Sequence, residues 1–124
     1  MSQQQTEKRK YQRVFFAPAS RLSADFEQPG ITAVVLDISL GGMGASIKRT
    51  NGQKFKKNDR IRLCTIKGRD GLEINAGFEI EIRWIIDQPG FEHIAFGCRF
   101  LDPPQAFMGD IGSVVERALG KHTM

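Results

Sequence analysis

The sequence predicts a mainly β domain in which six short antiparallel strands form a small barrel and a carboxy-terminal amphipathic helix packs against it. Apolar residues occupy every even position of Ile74–Ile86, and a similar alternation returns in Ile94–Phe100. A period of two places those side chains on one face of a strand, which a helix cannot do. Apolar residues then recur at helical spacing through Phe107–Leu119, which predicts the helix. A barrel is favoured because closure protects the edges of short strands.

The chain has 124 residues, which is enough for one domain with a single core. We expect a flexible tail over residues 1–8, which are polar and have nothing to bury, and a folded domain over residues 9–120. The start lacks the apolar stretch of a secretion signal, and no apolar run approaches the roughly 20 residues of a membrane helix. A cytoplasmic location without membrane insertion is therefore expected.

The first four strands are predicted at Val14–Phe26, Ile31–Ile38, Ala45–Lys48 and Asp59–Ile66. The first contains Pro18, which predicts an irregularity because proline cannot donate to a ladder. The second is rich in β-branched residues. Three closely spaced glycines after it indicate a tight turn into the third strand. The basic, polar stretch 49–58 is predicted to be a loop, and the fourth strand alternates between apolar and basic residues.

The fifth and sixth strands are the two alternating runs, joined by a turn at Asp87–Gly90. Trp84 falls on the apolar face of the fifth strand, so core packing is the favoured interpretation and contact with a ligand the alternative. Asp102 is predicted to be the helix N-cap, with Pro103 at the first helical position and Gly120 ending the helix.

The cysteines, Cys64 and Cys98, are too few for a disulfide framework. We expect two reduced thiols in the core. His93 and His122 have no cysteines or carboxylates at metal-ligand spacing, so no metal site is predicted.

The net charge of +4 is concentrated in two segments. Residues 1–13 carry four basic side chains against Glu7, and residues 48–62 carry seven against Asp59. Two basic segments on an otherwise acidic body suggest local contacts with anions rather than general binding of nucleic acid. We interpret segment 48–62 as a solvated loop and strand face, with docking of an acidic partner as the alternative.

Two motifs carry most of the functional information: Arg9-x-x-x-Arg13, and Asp37-x-Ser39-x-x-Gly42 at the end of the second strand. Each guanidinium can hold a phosphate or the O6/N7 edge of guanine. The carboxylate can accept from the N–H groups of the opposite purine edge, and glycine lets a ligand approach the backbone. Together the motifs predict a pocket for a guanine nucleotide that carries phosphates.

This pair of motifs resembles the signature of PilZ domains, with no departure at any signature position. The resemblance extends from about Lys8 to the carboxy-terminal helix and includes the strand Gly97-Cys98-Arg99-Phe100. It implies a six-stranded PilZ-type barrel that acts as a bacterial receptor for the second messenger cyclic di-GMP, with no cofactor.

The resemblance also assigns roles within the two motifs. Arg9 and Arg13 would hold phosphates and the Hoogsteen edge of guanine. Asp37 and Ser39 would read the other guanine edge, and Gly42 would keep the floor of the site open. The site residues it predicts are Lys8, Arg9, Arg13, Asp37, Ser39 and Gly42, with Gly41, Trp84 and Arg99 as further candidates.

Lys8 precedes the first motif arginine, a place that in the family influences whether one ligand or a stacked pair is bound. A basic residue there is compatible with a stacked pair. Arg99 is predicted to face outward, opposite Cys98 and Phe100, where it can reach a phosphate, and Arg83 has the same status.

The first hypothesis is a non-catalytic receptor whose amino-terminal segment becomes ordered on cyclic di-GMP and signals to an unidentified downstream protein in the control of motility or biofilm formation. The second is an interaction adaptor of motility or pilus machinery with weak or no nucleotide binding. A single-stranded nucleic-acid binder is disfavoured because no surface aromatic residues accompany the 48–62 segment. No enzyme is predicted, since no histidine is placed to activate Ser39. A monomer and a homodimer both remain open.

Overall fold

A computed structural model describes residues 13–15, 22–27, 31–49, 56–69 and 71–123 of the chain. This part of the chain contains seven strands and one helix. They are β1 (Val14–Phe15), β2 (Leu22–Phe26), β3 (Ile31–Ile38), β4 (Gly42–Lys48), β5 (Arg60–Lys67), β6 (Glu73–Ile86), β7 (His93–Phe100) and α1 (Gln105–Thr123). No helix of the described residues is long and apolar enough to cross a membrane.

Six strands form a closed antiparallel barrel in the order β3-β2-β5-β6-β7-β4, and β4 pairs back with β3 to close it. The predicted barrel with a carboxy-terminal helix is confirmed. The first predicted strand, however, is split into β1 and β2, which both pair with β3. Pro18, where the irregularity was predicted, lies outside the described residues.

The barrel interior is filled by the inward-facing side chains of all its strands. Phe26 and Phe96 meet edge to face inside it, with ring centroids 6.1 Å apart. Cys98 is buried, but Cys64 is only partly buried, so the expectation of two core thiols is wrong for Cys64. Both cysteines are free.

Helix α1 packs against the barrel through Phe107, which is almost fully buried. Its ring meets those of Phe78 and Phe100 edge to face, with centroids 4.7 and 5.2 Å away. Ile111 and Val115, each one turn further along, are buried on the same face. The helical spacing in the sequence therefore identified the buried face correctly.

The predicted ends of the helix are wrong. Helix α1 begins at Gln105, and the carbonyl of Pro104 accepts the first helical hydrogen bond, from the Met108 amide at 3.0 Å. Asp102 has a φ of 50°, so it forms the bend before the helix instead of the N-cap. Helix α1 also continues through Gly120 to Thr123.

Four pairs of described strands show a register shift, and the shifts in β6 and β3 change which face the later side chains occupy. In β6, the register against β7 shifts between Ile82 and Trp84, so that Trp84 lies opposite Gly97. Cys98 is buried, so its neighbour Gly97 faces outward, because successive residues of a strand face opposite sides. Residues that pair across two strands share a face. Trp84 therefore lies on the outer face, and its predicted core position is wrong. The same shift leaves Ile86 52% exposed.

In β3, the register against β4 shifts between Val35 and Asp37. Val35 and Ile38 are both buried. Asp37 pairs with Gly44 on the outer face between them. The shift therefore keeps the Asp37 carboxylate out of the barrel core.

Candidate functional site

An open groove of about 560 Å³ lies on the outer face of the barrel, beside the start of α1. Its lining comes from the residue just before β1, the β3–β4 turn, β6, β7 and the residues at and just before the first turn of α1. The lining residues are Arg13, Ser39, Leu40, Gly41, Gly42, Arg83, Trp84, Gly97, Cys98, Arg99, Phe100, Pro103 and Met108. We call this feature the arginine groove, because three of these residues are arginines and none of them is acidic.

Arg13 is held in the groove by Asp37. Its Nη1 lies 3.3 Å from Asp37 Oδ1, which also accepts a hydrogen bond from the Gly44 amide at 3.2 Å. The Asp37 side chain is only 10% exposed, against 26% for Arg13. Pairing of β1 with β3 brings the two residues together, since Val14 lies opposite Ile38. Asp37 therefore lies behind Arg13 and contacts one nitrogen of its guanidinium group, so that other N–H donors remain for further partners.

Ser39 organises the turn between β3 and β4. Its hydroxyl accepts a hydrogen bond from the Gly41 amide at 3.1 Å and donates to the Gly42 carbonyl at 3.4 Å. The Ser39 amide donates to the same carbonyl at 2.9 Å. Ser39 thus lies in the turn just after β3, whereas Asp37 lies within the strand.

Gly42 begins β4 at a point where the backbone of β7 passes very close. A Cβ atom added to Gly42 would collide with the backbone carbonyl oxygen of Cys98. Strand β4, the third predicted strand, starts three residues earlier than predicted. Its first residue must be glycine, because a side chain there would prevent β4 from pairing with β7. The Gly41 carbonyl extends this contact by accepting from the Phe100 amide at 3.0 Å.

Trp84 lies directly over Gly97. A Cβ atom added to Gly97 would occupy the position of the indole ring, its Nε1 and adjoining carbons included. The glycine therefore lets the indole lie against the strand beside the groove. An aromatic ring in this position can stack on a nucleobase.

Arg83 and Arg99 lie on neighbouring strands and share one acceptor. Arg99 Nη2 is 2.9 Å from Glu81 Oε1, and Arg83 Nη1 is 3.3 Å from the same oxygen. The Glu81 side chain is only 12% exposed, while those of Arg83 and Arg99 are about half exposed. Glu81 does not line the groove.

The Cys98 thiol lies beneath the groove and is chemically inert. Burial is the main cause that raises its pKa to about 12, and the negative charge of Asp37 acts in the same direction. A thiol with such a pKa is protonated at neutral pH, and nucleophilic attack requires the thiolate. Cys98 is therefore a packing residue.

The structure brings most of the predicted site residues together. Those that line the groove are Arg13, Ser39, Gly41, Gly42, Trp84 and Arg99. Asp37 lies behind Arg13, and Lys8 and Arg9 lie outside the described residues. Sequence reasoning did not identify Glu81 as part of this region. The signal that could have identified Glu81 is its position opposite Arg99 in the paired strands β6 and β7. That position can be recognised only when the register of the two strands is known.

Segment 48–62 is not a uniformly solvated patch in its described part. Arg49 donates to the carbonyls of Phe91 and Gln88 at 2.7 and 2.8 Å, and it forms an ion pair with Asp87. These contacts tie the end of β4 to the β6–β7 turn. Residues 50–55 lie outside the described part of the chain.

Comparison with known proteins identifies the family and the fold. The family model for the PilZ domain matches residues 7–117. Among curated proteins, none matches the chain. The PilZ domain of YcgR from Escherichia coli, solved with c-di-GMP, superposes with a TM-score of 0.69 at 16% identity. That match covers 94% of this chain and 95% of the other.

Two longer solved proteins share the fold. Inhibitor of motility (MotI/DgrA) from Bacillus subtilis has a TM-score of 0.66 at 16% identity, and YcgR from Escherichia coli in complex with c-di-GMP has 0.63 at 20%. Each match covers 94% of this chain but only 52% and 49% of those proteins. The present chain therefore spans about half the length of these two.

Proposed function

Because the chain belongs to the PilZ domain family, we propose that it is a non-catalytic receptor for cyclic di-GMP and that the arginine groove is the binding site. The observation that carries this proposal is the lining of the groove. Three arginines and one tryptophan line it together, without an acidic side chain among the described lining residues. Guanidinium groups bind phosphates and guanine edges, and an indole stacks on a base.

Arg13 is the main anchor in this proposal. The Asp37 carboxylate fixes its orientation through the 3.3 Å contact, so less side-chain entropy is lost when an anion binds. A guanidinium has five N–H donors in a rigid fork, so donors remain for the ligand. Asp37 would then contribute mainly through Arg13, and any reading of a guanine edge by its carboxylate would be additional.

The ligand would also recruit the segment that precedes Arg13. Arg9 and Lys8 lie four and five residues before Arg13 in the sequence. Strand β1, which follows Arg13, pairs with β3 of the barrel beside the groove. Two further cations closing over bound phosphates would change the surface that a partner meets. We propose that this change is the signal to a downstream protein.

The test is the variant Arg13→Gln, with Arg62→Gln as its matched control. Arg62 lies on β5, is half exposed and pairs with Glu27 at 3.4 Å away from the groove lining. Both variants lose one positive charge. Calorimetric titration with cyclic di-GMP should show binding weakened about tenfold to a hundredfold in Arg13→Gln, since hydrogen bonds to charged groups contribute about 1.5–3 kcal/mol. Arg62→Gln should bind like wild type. Equal affinity in the two variants would contradict the assignment.

A protein-interaction adaptor is the second candidate. Its support is the exposure of Phe91 and Ile86 at the β6–β7 hairpin, at 59% and 52%. Exposed large apolar side chains are common at protein contacts. A folded wild-type protein that gives no saturable heat with cyclic di-GMP would favour this candidate.

A further inference from the structure

We infer that Arg83 and Arg99 form a second phosphate-binding subsite of the arginine groove, and that Glu81 is the residue that positions them. This inference rests on the proposed function. It concerns the phosphate of a cyclic dinucleotide that Arg13 does not hold. Arg83 lies outside both sequence motifs, and Glu81 lies outside both motifs and outside the groove lining.

The contact geometry supports a subsite that is already assembled. Glu81 Oε1 accepts from Arg99 Nη2 at 2.9 Å and from Arg83 Nη1 at 3.3 Å. Each guanidinium uses one nitrogen in this contact, so each retains donors for an anion. Both line the groove and are about half exposed. Two guanidinium groups beside one another match the several oxygens of a phosphate.

Glu81 is needed because two adjacent guanidinium groups repel each other. Glu81 lies directly opposite Arg99 in the β6–β7 register, and Arg83 follows two residues later on β6. A carboxylate between them offsets the repulsion and fixes both side chains. Without it, the two arginines would separate into solvent, and a ligand would have to order them again.

The same construction occurs at Arg13, which strengthens the inference. The side chains of Asp37 and Glu81 are 10% and 12% exposed. The acids of the other ion pairs in the described residues are 31–60% exposed. All three groove arginines are thus held by a largely buried carboxylate that lies behind the lining.

The test is Glu81→Gln, with Glu79→Gln as its matched control. Glu79 lies two residues away on the same strand, is exposed and does not line the groove. Both substitutions remove one negative charge from the same region. Titration with cyclic di-GMP should show Glu81→Gln weakened about threefold to tenfold, because a neutral acceptor holds guanidinium groups less strongly. Glu79→Gln should bind as tightly as wild type or slightly tighter.

The sign of the effect decides between positioning and simple charge. If Glu81 only repelled the ligand, its neutralisation would tighten binding. Tighter or unchanged binding in Glu81→Gln would therefore overturn the inference.

A double variant tests whether Glu81 acts through the arginines. Arg83→Gln/Arg99→Gln should weaken binding at least tenfold, and adding Glu81→Gln to it should cause no further loss. Wild-type affinity in the double variant would overturn the subsite and leave the proposed function intact. An additional loss in the triple variant would show that Glu81 acts elsewhere, which also contradicts the inference. Absence of binding by the wild-type protein would overturn both proposals.

Discussion

At the scale of single residues, the site depends on side chains whose orientation is set by small neighbours and buried acids. Asp37 and Glu81 hold the groove arginines from behind. Gly97 leaves the space that Trp84 occupies. None of these supporting residues needs to touch a ligand for the groove to have its shape and charge. Substitutions of residues behind the lining should therefore weaken ligand binding, just as substitutions of lining residues should.

Trp84 offers a direct residue-scale prediction, because it is the only tryptophan of the chain. Cyclic di-GMP should change its fluorescence, and Trp84→Leu should bind about fivefold to a hundredfold more weakly, since stacking contributes about 1–3 kcal/mol per base. Phe91→Leu is the control, because Phe91 is an exposed aromatic residue outside the groove. Undiminished binding by Trp84→Leu would exclude the stacking role.

At the scale of elements, the site depends on how β3, β4, β6 and β7 pair. Periodicity correctly predicted the two long strands β6 and β7 and the buried face of α1. It failed at the register shifts of β3 and β6, because one extra residue reverses every later side chain. Two signals were present: Asp37 falls at an inward position of β3, and Trp84, Ile85 and Ile86 break the alternation. The sequence did not reveal which residue is extra, since that depends on the partner strand.

The β4–β7 contact gives a prediction at this scale. Gly42→Ala should destabilise the fold by about 1–3 kcal/mol, because the new methyl group meets the Cys98 carbonyl and the two strands must separate. In Gly109→Ala, by contrast, the added Cβ on α1 finds no atom within 4 Å. That control should gain roughly 0.5–1 kcal/mol from helix propensity. Denaturant unfolding of both variants measures the difference, and equal stability would refute the close approach.

At the scale of the whole molecule, the barrel presents a groove lined by three arginines, of which Arg13 lies just before β1. The net charge of +4 favours encounter with a dianionic ligand, and this attraction should weaken as salt is added. The motif pair predicts from sequence alone the guanine nucleotide that we propose as the ligand. The alternation also predicted that Arg83 and Arg99 can reach a phosphate. The contact that both make with Glu81 became visible only once the strands were assembled, because it depends on the register of β6 against β7.

The central claim is that the arginine groove recognises cyclic di-GMP, and calorimetric titration of the wild-type protein tests it most directly. Cyclic di-AMP is the matched competitor, since it has the same phosphates but presents an amino donor where guanine presents the O6 acceptor to an arginine. We predict saturable heat with cyclic di-GMP and binding at least tenfold weaker with cyclic di-AMP. No saturable heat with cyclic di-GMP, or equal affinity for the two dinucleotides, would contradict the account.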